Sequence, residues 1–380
     1  MYFASIGSRA NPFGSLWSCG LESKSISTSQ PVRNCARGSG GLQLFWKSVS
    51  QVKHVSRRSS TRVCSGRGET LVSQEVADAS FLPSELASIT EPAAIEMAAQ
   101  LRQIPVFTPG AEEAVNTACV GPVEAKIKTS ENPVVLLHGF DSSSLEFRRL
   151  YPLLASQTET WAVDLIGWGF TEAGFDRKPD QALGPKEKRA HLYAWWKQYV
   201  GRPMVLVGAS LGGAAAIDFA VEHPEAVHKL VLVDAQGFID GIGPMASLPK
   251  PLAVLGVRVL RSIPLRQAAN KMAYYNKERF ATEDAMRVGR LHTFMPGWTD
   301  ANCAFMRSGG YSIADKISKV GQETLILWGR NDEILDPKYA SQFLEAIPRS
   351  RLVWVEECGH CAHLEKPEFM AEQVLEFALS

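Results

Sequence analysis

A serine held between two glycines carries the clearest chemical signal in this 380-residue chain. The motif GASLG at 208–212 follows an apolar run at 204–207 and opens an Ala-rich stretch. A serine on so sharp a strand-to-helix turn has a strained backbone, and its flanking positions must be almost free of side chains. Gly208 and Gly212 supply that room. The pattern predicts that Ser210 is a nucleophile whose hydroxyl stands clear of a sheet.

An unassisted serine hydroxyl is a poor nucleophile at neutral pH, so it needs a base and an acid that orients the base. Asp332 follows the predicted strand 324–328, and His360 follows the predicted strand 351–355. Both lie just beyond the carboxyl end of a strand, where open α/β sheets carry their functional groups. We predict a triad in which His360 takes the Ser210 proton and Asp332 holds the imidazole tautomer.

A short apolar strand upstream, at 133–137, ends in His138, Gly139 and Phe140. In a strand–serine–helix architecture, the loop after this strand supplies one backbone N–H to a developing oxyanion, and the residue after the nucleophile supplies the other. Phe140 and Leu211 are therefore the expected donors. Gly139 allows the loop to approach the substrate oxygen, and His138 is expected to orient the loop rather than to transfer protons.

Other groups compete for these roles. Asp234 ends the preceding strand and is an alternative triad acid, while Asp332 could instead cap the helix that follows it. His363 lies three residues after His360 and is expected to be structural. The remaining histidines lack a catalytic context and are expected to be solvated or packed: His54, His191, His223, His228 and His292.

The segment Cys358-Gly359-His360-Cys361 allows two further interpretations. A thioredoxin-like redox pair needs its first cysteine at a helix N-terminus in a βαβ unit, which nothing in this region predicts. Zinc ligands as close in sequence as Cys358, His360, Cys361 and His363 cannot readily close a tetrahedron. A reversible Cys358–Cys361 disulfide that distorts the catalytic loop stays open as a hypothesis. The triad chemistry itself requires no metal and no organic cofactor.

From about Asn132 to the C-terminus, the chain resembles the α/β-hydrolase family, with its motifs in the family's order. Within that family it is most similar to the plant plastid chlorophyll dephytylases, and more distantly to the pheophytinases. The stretches that carry this resemblance are LHGFDSS at 137–143, WAVD at 161–164, GWGF at 167–170, SLPK at 247–250, SIPLR at 262–266, GRLH at 289–292, SGGY at 308–311 and LILWG at 325–329.

The resemblance implies an α/β-hydrolase fold, with a mostly parallel central sheet flanked by helices and an inserted helical cap. It also implies an enzyme that cleaves the phytyl ester of chlorophyll or its metal-free form at a thylakoid membrane, with Ser210, Asp332 and His360 as the triad. Ala209, where a dephytylase would have Pro, and Gly213 depart from the pattern. They leave open another plastid lipid or acyl ester as the substrate. Two further alternatives are a carbon–carbon bond hydrolase with the same triad and a slow-turnover ligand receptor.

The element that would select the substrate is the cap, which we predict over residues 235–322 because the strand pattern stops between Asp234 and Thr324. Its run at 250–266 is apolar with interspersed basic residues, and no uncharged stretch approaches the ~20 residues of a membrane span. Such a segment could lie on a membrane, line a pocket for a long hydrocarbon, or pack as an ordinary helix. The expected partners are a lipophilic small-molecule ester and, peripherally through the cap, the thylakoid membrane.

The first 68 residues differ in composition from the rest. They are rich in Ser and carry ten Lys and Arg against one acidic residue, Glu22, which is the signature of an organelle transit peptide. We expect import into the chloroplast, with the mitochondrion as the alternative destination, and removal near Cys64; a disordered cytosolic tail is the other interpretation.

The whole chain is neutral, so the +9 of this segment leaves −9 on the rest, which disfavours nucleic-acid binding. Residues 69–110 are predicted to be a poorly ordered lead-in, and 111–380 the hydrolase domain.

Overall fold

The computed structural model describes residues 81–109, 112–122, 132–174 and 182–380. The predicted transit peptide and the first part of the predicted lead-in lie outside these residues.

A sheet of eight strands forms the centre of the described part of the chain. The strands are β1 (Arg102–Val106), β2 (Val115–Val120), β3 (Val134–Leu137), β4 (Thr160–Val163), β5 (Met204–Ala209), β6 (Val227–Val233), β7 (Glu323–Gly329) and β8 (Ser350–Val355). Their spatial order is β1-β2-β4-β3-β5-β6-β7-β8. The two pairs that involve β2 are antiparallel and the others are parallel, which confirms the mostly parallel sheet.

Thirteen helices accompany the sheet in the described residues. They are α1 (Pro92–Ala98), α2 (Tyr151–Ala155), α3 (Pro185–Tyr199), α4 (Leu211–Glu222), α5 (Lys250–Leu260), α6 (Ile263–Ala273), α7 (Lys277–Phe280), α8 (Glu283–Leu291), α9 (Trp298–Arg307), α10 (Ala314–Ile317), α11 (Lys338–Ala346), α12 (Ala362–Glu365) and α13 (Pro367–Leu379). Short 3-10 helices occur at Ser84–Ser88, Ser144–Phe147, Pro224–Ala226, Gly243–Ser247 and His292–Phe294. None of the described helices combines the length and the apolar composition that a membrane-spanning segment needs.

Two buried faces of the sheet hold the helices in place, because successive side chains of a strand point to opposite faces. One apolar cluster joins alternate side chains of the central strands, such as Leu206 and Ile326, to α3, α4 and α11. A second cluster joins the intervening side chains, such as Val207 and Leu327, to α1, α2 and α13. The central strands are therefore apolar throughout, as strands covered on both faces must be.

The lead-in differs from the prediction of poor order over 69–110. Within its described part, α1 buries Ala94 and Met97 in the second apolar cluster, and β1 pairs with β2. Tertiary packing and a strand ladder thus order a segment whose prolines predict a loop. Pro105 is tolerated because β1 is an edge strand, where one side of the backbone needs no partner.

The register of the sheet brings the functional loops together. Strand β3 lies between β4 and β5, so the chain passes to opposite sides of β3, and such a switch point opens a crevice at the carboxyl ends of the strands. Leu137 of β3 is level with Gly208 of β5. The loop after β3 and the turn after β5 therefore leave the sheet side by side.

Between β6 and β7 the chain forms the helices α5 to α10, over the interval predicted as the cap. Helix α5 packs on α9, and α6 packs on α8. Ala253 and Val257 are the buried side chains of α5 and belong to the first apolar cluster. The helices of this region thus continue the core beyond the carboxyl edge of the sheet, above the switch point.

Candidate active site

Ser210 occupies the turn between β5 and α4 with φ of +52° and ψ of −120°. Residues other than glycine rarely adopt such a backbone, and holding one there costs about 1–3 kcal/mol. A Cβ atom added to Gly208 would overlap the backbone of Gly212, and one added to Gly212 would overlap the carbonyl of Leu137. Both glycines therefore allow the first turn of α4 to lie directly against the end of β3.

Backbone hydrogen bonds to the segment after β6 hold this turn. The N–H of Ser210 donates to the carbonyl oxygen of Val233 at 2.9 Å, and the N–H of Gln236 donates to the carbonyl oxygen of Ser210 at 2.9 Å. The strained residue is thus fixed from both sides by a neighbouring strand end. A nucleophile held in this way needs little reorganisation before it attacks.

Asp332 and His360 meet in the loops after β7 and β8. The Nδ1–H of His360 donates to Oδ2 of Asp332 at 2.8 Å, and both side chains are buried. The other carboxylate oxygen, Oδ1, accepts from the backbone N–H groups of Ile334 at 2.7 Å and Leu335 at 3.0 Å. Three hydrogen bonds therefore fix the carboxylate that orients the imidazole.

This pairing determines which imidazole nitrogen is available for proton transfer. With hydrogen on Nδ1, Nε2 of neutral His360 is an acceptor. Nε2 is buried and has no hydrogen-bond partner among the described residues, and His360 lines the same cavity as Ser210. A buried acceptor without a partner, in a cavity that a serine also lines, is available for general-base catalysis.

The loop after β3 approaches the nucleophile at Gly139. A Cβ atom there would lie 3.2 Å from Cβ of Ser210, so only glycine allows this approach without displacement. The ring of Phe140 packs against Trp168 and Phe305, each with ring centroids 6.0 Å away. Leu211 is the first residue of α4, so its N–H belongs to the free amino end of that helix. The two predicted oxyanion donors thus flank Ser210, and their role stays a prediction.

His138 braces the same loop. Its Nδ1 lies 2.8 Å from the carbonyl oxygen of Gly139, and since a carbonyl only accepts, Nδ1 carries the hydrogen. Complete burial lowers the pKa of His138 to about 3, so the ring is neutral at physiological pH. The geometry agrees with the expectation that His138 orients the loop.

Asp234, the alternative acid, has a different partner. Its Oδ1 accepts from the backbone N–H of Gly329 at 2.7 Å, at the end of β7. Burial, together with the negative charge of the neighbouring Asp332, raises the pKa of Asp234 well above its usual range. The carboxyl that contacts His360 is that of Asp332, whereas Asp234 supports the backbone that carries Asp332.

The groups that compete with His360 have pKa values shifted in the direction that disfavours their charged forms. Burial lowers the pKa of His363 to about 3, and its Nε2 lies 3.8 Å from a carboxylate oxygen of Glu146. Cys358 and Cys361 are free thiols, and burial raises the pKa of both well above the usual range. Thiols that resist deprotonation are poor redox nucleophiles and poor metal ligands. Among the described residues, no group of three or more His, Cys, Asp or Glu is placed to hold a metal ion.

Glu146 is a site residue that sequence reasoning missed. Its Oε1 accepts from the N–H of Gly139 at 3.1 Å, and its side chain lines the cavity with Ser210 and His360. Burial raises the pKa of Glu146 to about 7, although hydrogen bonds from Ser142 and Gly139 and the charge of His360 oppose the shift. A single Glu in a 3-10 turn has no neighbouring sequence pattern that would place it in the site.

Asp141 is a second missed residue, and it joins the oxyanion loop to the helices above it. Its Oδ1 accepts from Nε2 of His292 at 2.9 Å and from Nε1 of Trp298 at 2.8 Å, while its Oδ2 pairs with Arg266. Burial alone would raise the pKa of Asp141, but Arg266 and His292 outweigh it and lower the pKa to about 2. His292 is thus a buried hydrogen-bonding group. The motifs at 137–143, 262–266 and 289–292 contain these residues, which is a signal that could have linked them.

A cavity of about 150 Å³ lies over the nucleophile. Its floor includes Ser210, His360 and Glu146, and its roof comes from α6 and α8. The roof is mostly apolar, and its lining side chains are Arg266, Ala269, Asn270, Ala273, Ala285, Met286 and Val288. The site therefore combines reactive polar groups below with an apolar cover above.

Comparisons with known proteins agree with this geometry. The sequence profile of the alpha/beta hydrolase family matches residues 134–373. The alpha/beta hydrolase domain-containing protein VTE7 of Arabidopsis thaliana is 40% identical over 301 residues, which cover 78% of this chain and 89% of that protein. The monoacylglycerol lipase ABHD6 of Bos taurus is 24% identical over 65% of this chain and 75% of its own length. The meta-cleavage product hydrolase CumD of Pseudomonas fluorescens IP01 superposes with a TM-score of 0.57, at 22% identity, over 73% of this chain and 97% of that structure.

Proposed function

The chain belongs to the alpha/beta hydrolase family, and from this premise we propose that it hydrolyses the carboxylic ester of a lipophilic substrate through a Ser210 acyl-enzyme. One observation carries the proposal: His360, oriented by Asp332 at 2.8 Å, presents an unpartnered Nε2 in the cavity that Ser210 also lines. A similar triad supports other hydrolyses, so the choice of an ester rests on the mostly apolar cover of the site and on the similarity to a monoacylglycerol lipase.

The mechanism follows from the geometry. Nε2 of His360 takes the hydroxyl proton as Oγ of Ser210 attacks the ester carbonyl, and Asp332 stabilises the imidazolium. The N–H groups of Phe140 and Leu211 stabilise the oxyanion, each donor contributing about 3–4 kcal/mol of barrier lowering. His360 returns the proton to the leaving alcohol. Water, activated in the same way, then releases the acid and frees Ser210.

For the substrate we propose the phytyl ester of chlorophyll or pheophytin. The support is the resemblance to dephytylases, which extends into the cap segments at 247–250, 262–266 and 289–292, and the identity to a plant relative. The apolar roof from α6 and α8 suits a hydrocarbon. A cavity of about 150 Å³ is smaller than the roughly 300–1,000 Å³ of pockets for drug-sized ligands. The bulk of such a substrate must extend outside it or displace the roof.

For the location we propose the chloroplast, with the thylakoid membrane as the place of action. The acid-poor, Ser-rich segment 1–68 and the plant relative support this proposal. A lipophilic ester embedded in a membrane also requires an enzyme that reaches the membrane surface.

The test compares the wild-type chain with Ser210→Ala on detergent-solubilised chlorophyll a and pheophytin a, with released phytol measured by chromatography. Ser312→Ala is the matched control, because Ser312 is exposed, donates to Asp240 at 2.9 Å and does not line the cavity. We expect phytol from the wild type and from the control, and a loss of at least 10³-fold in Ser210→Ala.

Simple p-nitrophenyl esters separate the parts of the proposal. Ser210-dependent hydrolysis of these esters without phytol release would keep the acyl-enzyme and reject the phytyl substrate. Absence of Ser210-dependent ester hydrolysis of any kind would contradict the proposed reaction, and turnover of a vinylogous 1,5-diketone would then assign carbon–carbon bond cleavage.

A further inference from the structure

One face of α5 and its flanks exposes a row of large apolar side chains. The five members are 38–58% exposed: Leu248, Leu252, Leu255, Val259 and Ile263. Their spacing of three or four residues places those within α5 on a single side of the helix. The buried side chains Ala253 and Val257 face the opposite way, into the core. We call this row the α5 face.

The α5 face is a concentration of apolar surface rather than part of a general scatter. Ten large apolar side chains are exposed in the described part of the chain, and five of them lie between Leu248 and Ile263. Scattered single residues of this kind are normal on a soluble protein, but a contiguous patch marks an interaction surface. A covering partner is therefore required to explain this arrangement.

The charges near the α5 face indicate the kind of partner that would cover it. The sequence from Gly241 to Lys277 contains six basic residues and no Asp or Glu, in a chain whose residues after 68 carry −9 overall. Four of the six are exposed, namely Lys250, Arg258, Lys271 and Lys277. Lys277 pairs with Glu333, whereas in the part of the chain that the structure describes no carboxylate pairs with the other three. Their charges are available to an external anionic surface.

We propose that the α5 face docks on an anionic lipid bilayer. An amphipathic helix with apolar side chains on one face and basic side chains beside them lies in the plane of the interface, with its apolar face among the acyl chains and its cations at the headgroups. A second copy of this chain would suit the face less well, because the segment from Gly241 to Lys277 is basic in both copies and contains no Asp or Glu to pair with these charges. The inference does not depend on the proposed reaction.

Docking of the α5 face would affect the cavity, because the face continues into α6, which forms part of the cavity roof. Ile263, the last member of the face, begins α6, and Arg266, one turn later, lines the cavity over Ser210. Docking therefore places the cover of the cavity against the lipid. A lipophilic molecule would pass from the bilayer toward the roof of α6 and α8 without crossing bulk water.

The first experiment locates the contact by hydrogen exchange of the full chain, with and without vesicles of phosphatidylcholine that contain about one third phosphatidylglycerol. We expect slower exchange over residues 248–263 with these vesicles, and no change with phosphatidylcholine alone. Because the readout is local, binding by the basic segment 1–68 is recorded separately. Unchanged exchange over 248–263 would overturn the proposal.

The second experiment uses matched variants in vesicle flotation at low and high salt. Leu252→Ser/Leu255→Ser changes two side chains of the α5 face, and Ile95→Ser/Leu344→Ser changes two of similar exposure elsewhere, at 46% and 41%. We expect the first pair to remove the slowing of exchange over 248–263 and to lower the bound fraction at least fivefold, and the second pair to do neither. Equal behaviour of the two pairs would contradict the proposal. Loss of a self-association in sedimentation by the first pair, with unchanged flotation, would assign the face to a second copy instead.

Discussion

Two buried carboxyl groups lie close to each other near His360, and they differ in their hydrogen-bond partners. Asp332 accepts three hydrogen bonds, one of them from His360. Asp234 accepts from the backbone of Gly329, and burial together with the charge of Asp332 raises the pKa of Asp234 well above its usual range. The orienting role thus fits the carboxyl group that is bonded to the imidazole.

This difference predicts opposite results for two similar substitutions. Asp332→Asn removes the charge that stabilises the imidazolium and should lower kcat by a factor on the order of 10³–10⁴. Asp234→Asn keeps an oxygen that can accept from the N–H of Gly329 and leaves the contact between Asp332 and His360 in place, so kcat should stay within about tenfold of the wild type. Ester hydrolysis at pH 7 by both purified variants is the measurement. A loss in Asp234→Asn as large as in Asp332→Asn would reject this assignment.

Glu146 predicts a pH dependence of stability. The folded-state pKa is about 7 and that of an unfolded glutamate is roughly 4.3, so between these values the folded chain binds more protons than the unfolded chain. Stability is therefore lost as pH rises through this window, by about 4 kcal/mol at most, and the loss is complete above pH 7. Glu146→Gln removes the ionisation, so its Tm relative to wild type should be higher at pH 8 than at pH 4.5.

Glu96→Gln is the control for that experiment, because Glu96 is exposed on α1 and does not line the cavity. Its Tm difference from wild type should change little between the two pH values. A flat difference for Glu146→Gln as well would show that Glu146 does not titrate in the folded state as inferred.

For single residues, the sequence predicts a role where the neighbouring residues form a recognisable motif or strand. Ser210 lies in a recognisable turn, and Asp332 and His360 each follow an apolar strand. Glu146 and Asp141 have no such context. The partners of Asp141 in space, Arg266 and His292, are 125 and 151 residues away in sequence. A contact across that distance exists only after the cap has folded onto the oxyanion loop, and no spacing rule describes it.

Among the elements, the cap and the oxyanion loop are joined through one buried carboxylate. Arg266 on α6 donates to both the side chain and the backbone carbonyl of Asp141, and to the carbonyl of Gly289 on α8. A guanidinium can serve these acceptors together because its donors form a planar fork, whereas an ammonium cannot. The roof of the cavity and the loop that carries Phe140 should therefore loosen together.

Arg266→Lys tests this coupling. We expect hydrogen exchange to become at least tenfold faster both at residues 138–144 and in α6, which corresponds to about 1.4 kcal/mol less free energy of local opening. Arg287→Lys is the matched control, since Arg287 lies on α8 in an exposed pair with Glu283. Faster exchange in α6 alone would show that the cap moves without the loop.

The sequence predicts strands and helices where the local pattern of apolar and polar residues alone determines them. The apolar runs of β3 and β5 to β8 are visible because strands buried on both faces contain few polar residues. Strand β1 was not visible, because its order comes from pairing with β2 across the segment between them. Its Pro105 favours a loop in isolation, and only the position of β1 at the sheet edge makes the strand acceptable.

For the whole molecule, charge and location are the properties that the sequence predicts most directly. The first 68 residues carry +9 and the rest −9, so the two parts should behave independently in targeting and in catalysis. Residues 1–68 fused to a fluorescent protein should direct it to the chloroplast of a plant cell, scored by coincidence with chlorophyll fluorescence. The same fusion with its ten Lys and Arg changed to Gln should stay in the cytosol. Delivery of the unchanged fusion to mitochondria would select the alternative destination.

The order of strands in the sheet has a consequence for a chain that emerges from a ribosome or an import channel with its N-terminus first. The proposed nucleophile Ser210 follows β5, whereas the proposed base His360 follows β8, which lies at one edge of the sheet. A partly emerged chain can thus complete β1 to β7 and the cap while it still lacks His360. If the proposed triad operates, Ser210 stays inert until the loop after β8 has emerged, so hydrolysis cannot begin on a chain that holds only the first seven strands.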